Sequence, residues 1–249
     1  MDFEYVVTNV PGPGSNEDDF ATDFAGCSCL LECSQASNCS CLPYGDNYDS
    51  SDGRLLHNLD SSPPMLECSV NCGCALNDGP CANRRVQLGI VSRLEVFDTG
   101  EKGFGLRAVE AIPKGHFICE YAGEVISAEE VDKRAAARPS QTHNYVMTVK
   151  EHIGDEVRTI FIDPSARGNL ARFINHSCQP NVKLAIVRFG AQVPHVGMFA
   201  CKEIQAGEEL GYFYGDASAN TGDNAERKSC LCSSDRCRLF LPYSATASS

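Results

Sequence analysis

The sequence has no surplus of positive charge: 21 Lys and Arg stand against 33 Asp and Glu, a formal net charge of -12. A protein that holds nucleic acid or an anionic membrane by charge alone needs the opposite sign, so a basic partner is the natural expectation. Long apolar runs are missing too, and no stretch approaches the roughly 20 residues of a membrane span. The first twenty residues, MDFEYVVTNVPGPGSNEDDF, lack the basic and then apolar segments of a secretory leader. The expectation is a soluble chain in a reducing compartment, where grouped cysteines bind metal in preference to pairing. There is no internal repeat, and no low-complexity segment beyond the terminal SATASS, which is expected to fray.

Cysteine, by contrast, is abundant. The chain carries 15 in 249 residues, far more than ordinary packing uses, alongside 43% apolar residues that suffice for a real core. Charge is uneven: residues 1–89 hold 13 acidic and 3 basic side chains, residues 90–249 hold 20 and 18, so the N-terminal third reads as a distinct unit. Nine cysteines fall there in two groups. Cys27, Cys29, Cys33, Cys39 and Cys41 read C-x-C-x3-C-x5-C-x-C, and Cys68, Cys72, Cys74 and Cys81 read C-x3-C-x-C-x6-C. Three separate tetrahedral zinc sites need twelve thiolates, whereas three ions sharing three bridging thiolates need nine. The spacing therefore points to a trinuclear cluster. A disulfide knot is the weaker alternative, since the number is odd and cysteines one residue apart bridge poorly. Residues 42–65 between the groups are rich in Asp, Ser, Asn, Gly and Pro and read as a loop, so metal must supply most of this unit's folding free energy.

After Arg85 short apolar runs alternate with turns, which predicts a mainly-β domain with strands over 86–97, 117–121, 145–149, 159–162, 184–189 and 196–200. One helix is expected after the capping box Ser127-Ala128-Glu129-Glu130, stopped by Pro139, and a second, short one over 166–173. Residues 112–115 and 205–208 read as turns feeding strands. Near the end, Cys230, Cys232 and Cys237 read C-x-C-x4-C, one thiolate short of a tetrahedral site. Cys178 is the favoured fourth ligand, with His195 and His143 as alternatives; zinc held this way pins the tail back onto the β domain.

The nine-cysteine block followed by KGFGLRA (102–108), EYAGEVI (120–126), RFINHSCQPN (172–181), GEELGYFYG (207–215) and CLCSSDRC (230–237) resembles, in that order, the pre-SET, SET and post-SET segments of suppressor-of-variegation-type protein lysine methyltransferases. The loop GDNYDS (45–50), the run IPKGHFICEYAGEV and the tail CRLFLPY resemble the methyltransferase half of the SET-mariner proteins. The resemblance spans nearly the whole chain and divides it into an N-terminal extension (1–24), a pre-SET zinc unit (25–89), a SET catalytic domain (90–215) and a post-SET segment with its tail (216–249). It implies a SET β-fold with knot-like C-terminal threading, and methyl transfer from S-adenosylmethionine to a histone-tail lysine. It also implies three zinc ions in the N-terminal cluster and one at the C-terminal site. With thirteen thiolates and four divalent ions the formal charge becomes about -17.

By the same resemblance Tyr214 is the catalytic tyrosine, Tyr121 lines the lysine channel and Tyr212 sits at a switch position where tyrosine favours mono- or dimethylation. Lys102, Gly103, Phe104, Tyr145, Arg172, Asn175 and His176 fall on the cofactor side. Two residues depart from the family pattern: Phe213 stands where the family usually has Asp or another residue, and Phe104 replaces the commoner tryptophan. Each tyrosine taken alone reads as an ordinary core aromatic; embedded in these motifs the catalytic reading is stronger. Cys119 and Cys201 lie in apolar strand patterns and read as plain buried thiols, and Glu129, Glu130 and Asp132 as a solvated helix face. A second reading is a catalytically silent, zinc-stapled chromatin-binding module, for which the Phe213 departure is the sole hint. The expected setting is the nucleus and chromosome, with no membrane and no sequence-specific nucleic-acid binding. The target lysine, whether nine, four or thirty-six of histone H3 or a non-histone one, is left open by the sequence.

Overall fold

The computed structural model describes residues 3–30, 32–59, 64–76, 81–138, 144–153, 155–215 and 228–242. The strands in chain order are β1 (Glu4–Tyr5), β2 (Val10–Pro11), β3 (Met65–Leu66), β4 (Leu94–Asp98), β5 (Phe104–Ala108), β6 (Phe117–Glu120) and β7 (Gly123–Ile126). They continue as β8 (Met147–Ile153), β9 (Glu156–Gly168), β10 (Asn175–His176), β11 (Val182–Arg188), β12 (His195–Ala200) and β13 (Gly211–Tyr212). One α-helix, α1 (Ala128–Ala137), follows β7.

Two sheets carry the core. One has the order β1-β9-β7-β2 with β8 on β9, and the other has the order β3-β11-β12-β6. All six residues of β12 are buried because it lies between β11 and β6, with its side chains covered on both faces. Gly123 opens β7 where it crosses β9 so closely that a Cβ would lie 2.7 Å from the Asp163–Pro164 backbone. Residues 3–24 do not stand apart: β1 runs parallel to the end of β9, and β2 runs parallel to β7.

Helix α1 starts where the capping box puts it. The Ser127 hydroxyl accepts from the Glu130 amide at 3.3 Å, and the helix stops at Arg138, ahead of Pro139. Its Arg134 donates to the buried Asp163 at 2.8 Å and to Glu124 at 2.9 Å, so a charge network fixes the helix on the β7–β9 ladder.

Most expected strands are present with shifted ends, but two readings are corrected. Of residues 86–97 only 94–97 are strand, as part of β4. Val86–Leu88 forms a 3-10 turn because the Val86 amide is taken by the Glu67 carboxylate at 2.7 Å and Gly89 turns the chain at a φ of 74°. The helix expected over 166–173 shrinks to a single 3-10 turn, Leu170–Phe173, capped by Asn169, because β9 extends through Gly168. The turns at 112–115 and 205–208 are found, with Ile112 and Ile204 paired across a bridge.

The cysteine unit is joined to the sheets by β3, which pairs with β11, and by the buried Glu67. That carboxylate accepts from the Tyr48 hydroxyl at 2.7 Å and from Gln87 Nε2 at 2.9 Å, besides Val86. Around it Tyr48, Leu55, Met65, Val86, Phe117, Val187 and Phe199 form one apolar cluster spanning the junction.

Candidate active site and cysteine clusters

The residues singled out near positions 121, 175 and 214 meet because β10 pairs in parallel with β13, setting Asn175 against Gly211 and His176 against Tyr212. Asn181 locks this pairing: its Oδ1 accepts from the Gly211 amide at 2.8 Å, and its Nδ2 donates to the Glu209 carbonyl at 2.8 Å. Tyr121, immediately after β6, then faces Tyr212 at 6.4 Å between ring centroids, and Tyr212 lies 4.7 Å from Tyr214.

Tyr121 and Tyr212 are 3% and 8% exposed. Tyr214 is 42% exposed as a residue, yet its hydroxyl donates inward to the Ile174 carbonyl at 2.8 Å. The Tyr121 hydroxyl donates to the Tyr145 carbonyl at 2.5 Å. Burial, reinforced by the neighbouring phenols, pushes Tyr121 and Tyr212 well above the ordinary tyrosine range, and burial does the same to Tyr214. All three phenols are therefore neutral near pH 7 and serve as hydrogen-bonding groups, not as tyrosinate bases.

The expected cofactor side is one contiguous edge. The Arg172 guanidinium carbon lies 4.4 Å from the Phe3 ring centroid, 4.5 Å from that of Tyr145 and 5.5 Å from that of Phe173. Its Nη1 donates to the Ser165 carbonyl at 3.2 Å, while its Nε is buried with no hydrogen-bond partner among the described residues. Gly103 sits at a φ of 73°, so the loop turns tightly, and Phe104, 47% exposed, meets Phe173 edge-on at 6.4 Å. The Lys102 ammonium does not point at open space: it binds both oxygens of Glu209, at 2.8 and 2.6 Å. Asn175 Nδ2 donates to the same carboxylate at 3.0 Å and to the Phe104 carbonyl at 3.2 Å.

Glu209 thus ties the 102–104 loop to β10, a role that sequence reading misses. Its signal is an acidic pair in GEEL entering an apolar strand. Phe3, whose ring meets Arg172, is marked by no local pattern. His176 has a defined tautomer: its Nδ1 accepts from the Tyr214 amide at 3.2 Å, leaving Nε2 as the donor toward Cys178 Sγ at 3.3 Å. Burial, assisted by the Arg238 charge, lowers it to about 4, so the ring is neutral at pH 7.

All nine N-terminal cysteines pack in one cluster, and their sulfurs fall into overlapping groups of four. Cys27 and Cys68 each belong to three of these groups. Overlap is what shared, bridging thiolates require. Cys27 and Cys33 sulfurs are 3.8 Å apart, and those of Cys41 and Cys72 are 3.7 Å apart. A disulfide needs about 2.05 Å. Four sulfurs about 2.3 Å from a tetrahedral zinc lie about 3.8 Å from one another, so the donor sets fit the metal. At the other end Cys178, Cys230, Cys232 and Cys237 form a fifth group, with Cys178 and Cys230 at 3.8 Å. His195 is not part of it, being buried elsewhere against Glu120 at 2.8 Å and stacked on Phe189. His143 lies outside the described residues. Cys119 is fully buried, as expected, and Cys201 is partly buried with its thiol on the Pro180 carbonyl.

A SET domain family model matches residues 103–215, and a Pre-SET motif model matches residues 1–84. The chain is 45% identical over 247 residues to the probable histone-lysine N-methyltransferase set-23 of Caenorhabditis briggsae, covering 99% of both chains. It superposes on the methyltransferase domain of human histone-lysine N-methyltransferase SETMAR with a TM-score of 0.86 at 38% identity, covering 98% of this chain and 90% of that one. A complex of KRYPTONITE with mCHH DNA, an H3(1-15) peptide and SAH matches with a TM-score of 0.73 at 30% identity, over 96% of this chain and 47% of that one.

Proposed function

The chain belongs to the SET-domain histone-lysine N-methyltransferases that carry a pre-SET unit, and from that premise we propose which of its residues perform the reaction. Its activity is S-adenosylmethionine-dependent methylation of histone lysine, on a mainly-β SET fold. The cofactor, when bound, supplies an electrophilic methyl on a sulfonium centre. An in-line displacement needs a neutral, aligned amine and little covalent help, so positioning does most of the catalysis. Tyr121, Tyr212 and Tyr214 line the channel that desolvates the lysine amine and lowers its pKa. As neutral phenols, they orient its lone pair. Backbone carbonyls beside the phenols would accept weak bonds from the polarised methyl of a bound cofactor.

Lys102, Gly103, Phe104, Tyr145, Arg172, Asn175 and His176 hold the cofactor. The buried Nε of Arg172, without a hydrogen-bond partner among the described residues, suits a ligand with an acceptor, which the cofactor has in its carboxylate. Zinc stands at three ions on Cys27, Cys29, Cys33, Cys39, Cys41, Cys68, Cys72, Cys74 and Cys81, and at one on Cys178, Cys230, Cys232 and Cys237. The functional units follow the boundaries 1–24, 25–89, 90–215 and 216–249, with the first segment acting as a flank of the catalytic sheet. Tyr212 limits the main product to mono- or dimethyl-lysine. The substrate is a histone H3 tail on chromatin in the nucleus, and sequence-specific contact with nucleic acid has no part in it.

The observation that carries these roles is the meeting of Tyr121, Tyr212 and Tyr214 against the Asn175–His176 strand. Nothing favours the silent-module reading, since no member of that set is missing. Core histones are incubated with a radiolabelled methyl donor and the chain, beside Tyr214→Phe and His176→Ala. Label well above both variants is expected, and label no higher than theirs overturns the assignment.

A further inference from the structure

We infer that Phe3, in the N-terminal segment far from the catalytic motifs, is a positioning residue for cofactor binding: it holds the Arg172 guanidinium ready for the cofactor's carboxylate. The inference rests on the placement of Arg172 at the cofactor side and deepens it.

The placement of Phe3 is built, not incidental. It directly precedes β1, whose parallel pairing sets Glu4 against Arg167 and Tyr5 against Gly168. The Val6 amide bonds the Gly168 carbonyl at 2.8 Å, and the Glu4 carboxylate meets Arg167 Nε at 3.4 Å. That register delivers the Phe3 ring to 4.4 Å from the Arg172 guanidinium and to 6.0 Å from Phe173, edge-on. The ring is half-buried against the main core.

Arg172 needs such support. A long side chain of this kind has many rotamers to lose, and among the hydrogen bonds described only that to Ser165 restrains it. Rings therefore do the orienting. Phe173 is fixed by the core and by its place beside Arg172 in the chain, Tyr145 supplies the second near ring, and Phe3 the nearest. A π face attracts the cation without occupying its N–H groups, so the edge bearing Nε is held in place yet left free to donate. Phe3 also reaches the 102–104 loop, through Phe173 to Phe104. Loss of the ring frees the guanidinium to rotate, and cofactor binding must then pay the ordering entropy.

The full chain is compared with Phe3→Leu, which keeps apolar bulk but removes the π face, with Phe3→Tyr, which keeps the face, with Arg172→Ala, and with the Phe3→Leu/Arg172→Ala double variant. Calorimetric titration with S-adenosylhomocysteine gives Kd without turnover, thermal unfolding gives Tm, and initial rates separate kcat from KM. Phe3→Leu is expected to raise the Kd for S-adenosylhomocysteine and the KM for S-adenosylmethionine by roughly 3- to 10-fold. Its kcat at saturating cofactor should stay within about twofold. Phe3→Tyr should restore the affinity, and Phe3→Leu should add nothing once Arg172 is gone. The inference is overturned if Phe3→Leu weakens binding equally in both backgrounds, if it lowers Tm without changing Kd, or if Phe3→Tyr fails to rescue. An unchanged Kd in Arg172→Ala removes the premise instead, and is recognisable because it appears without any Phe3 change.

Discussion

Replacing Glu209 by glutamine tests whether the 102–104 loop and β10 are held in register by one carboxylate. The substitution keeps the size of the side chain and the Oε1 that takes Asn175 Nδ2, but removes the charge that binds the Lys102 ammonium through both oxygens at 2.8 and 2.6 Å. A hydrogen bond to a charged group is worth about 1.5–3 kcal/mol when enclosed. Here the Lys102 and Glu209 side chains are 22% and 30% exposed, so screening reduces the loss to about 1–2 kcal/mol. In a protein of 249 residues each kcal/mol moves Tm by about 2–4 °C, which gives a fall of about 2–8 °C. The loop then samples positions away from β10, and affinity for S-adenosylhomocysteine should drop roughly fivefold, the equivalent of about 1 kcal/mol.

Thermal unfolding with and without S-adenosylhomocysteine, paired with calorimetric titration, reads both quantities. Adding Lys102→Met to Glu209→Gln removes the unpaired ammonium, because truncating both partners costs less than leaving one of them unsatisfied. The double variant should regain part of the Tm but not the affinity. If it regains both, Glu209 is a plain structural ion pair and the loop-register reasoning is wrong. Unchanged Tm and Kd in the single variant would refute it more directly.

Tyr212→Phe removes one buried hydroxyl beside Tyr121 and Tyr214 and so makes room for a larger ammonium; mass spectrometry of a methylated histone peptide should show trimethyl-lysine rising from a minor to a major product. Because burial holds the Tyr121, Tyr212 and Tyr214 phenols above their ordinary range, they stay protonated through pH 9. Rates should then climb from pH 7 to 9 as the substrate amine loses its proton, with no falling limb, and a decline below pH 9 in a chain whose Tm is unchanged would contradict this. The C-terminal cysteines are all partly exposed, whereas most of the N-terminal nine are buried, so a chelator should strip metal in two stages. Metal analysis beside circular dichroism should find activity lost with the first ion while the β signal persists, and the remaining ions released only on unfolding.

The residues proposed to carry the chemistry stand out in the sequence because most lie in short motifs whose spacing survives folding: the C-x-C pairs, NHSC and YFY. The helix at 128–137 was legible for the same reason, since its cap and its stop are local. The errors lay where a distant partner decided the outcome. Residues 86–88 have strand-like composition, yet a carboxylate nineteen positions earlier, Glu67, takes the Val86 amide and turns the chain. Residues 166–168 extend β9 because β7 and β1 both pair there. The contacts of Phe3 and Glu209 leave no mark in the sequence for a related reason: their partners, Arg172 and Lys102, are more than a hundred residues away. Local propensity has nothing to say about such contacts.

Phe213, the departure that first hinted at silence, has a positive role in the folded chain. Its ring lies 5.2 Å from that of His176, and the Arg238 guanidinium sits over the same ring at 4.9 Å from the centroid. Arg238 belongs to the C-terminal cysteine segment, and its amide donates to Cys178 Sγ at 3.4 Å. An acidic residue at position 213 would offer Arg238 a charge but no surface against His176. The aromatic serves both, packing on the imidazole while its face attracts the cation. The tail is therefore secured by side-chain packing as well as by its cysteine group, on the residue between Tyr212 and Tyr214. A chain that had abandoned turnover would have no reason to retain Tyr212, Tyr214, Asn175 and His176 around that contact, so the substitution is better read as a different fastening of the same site.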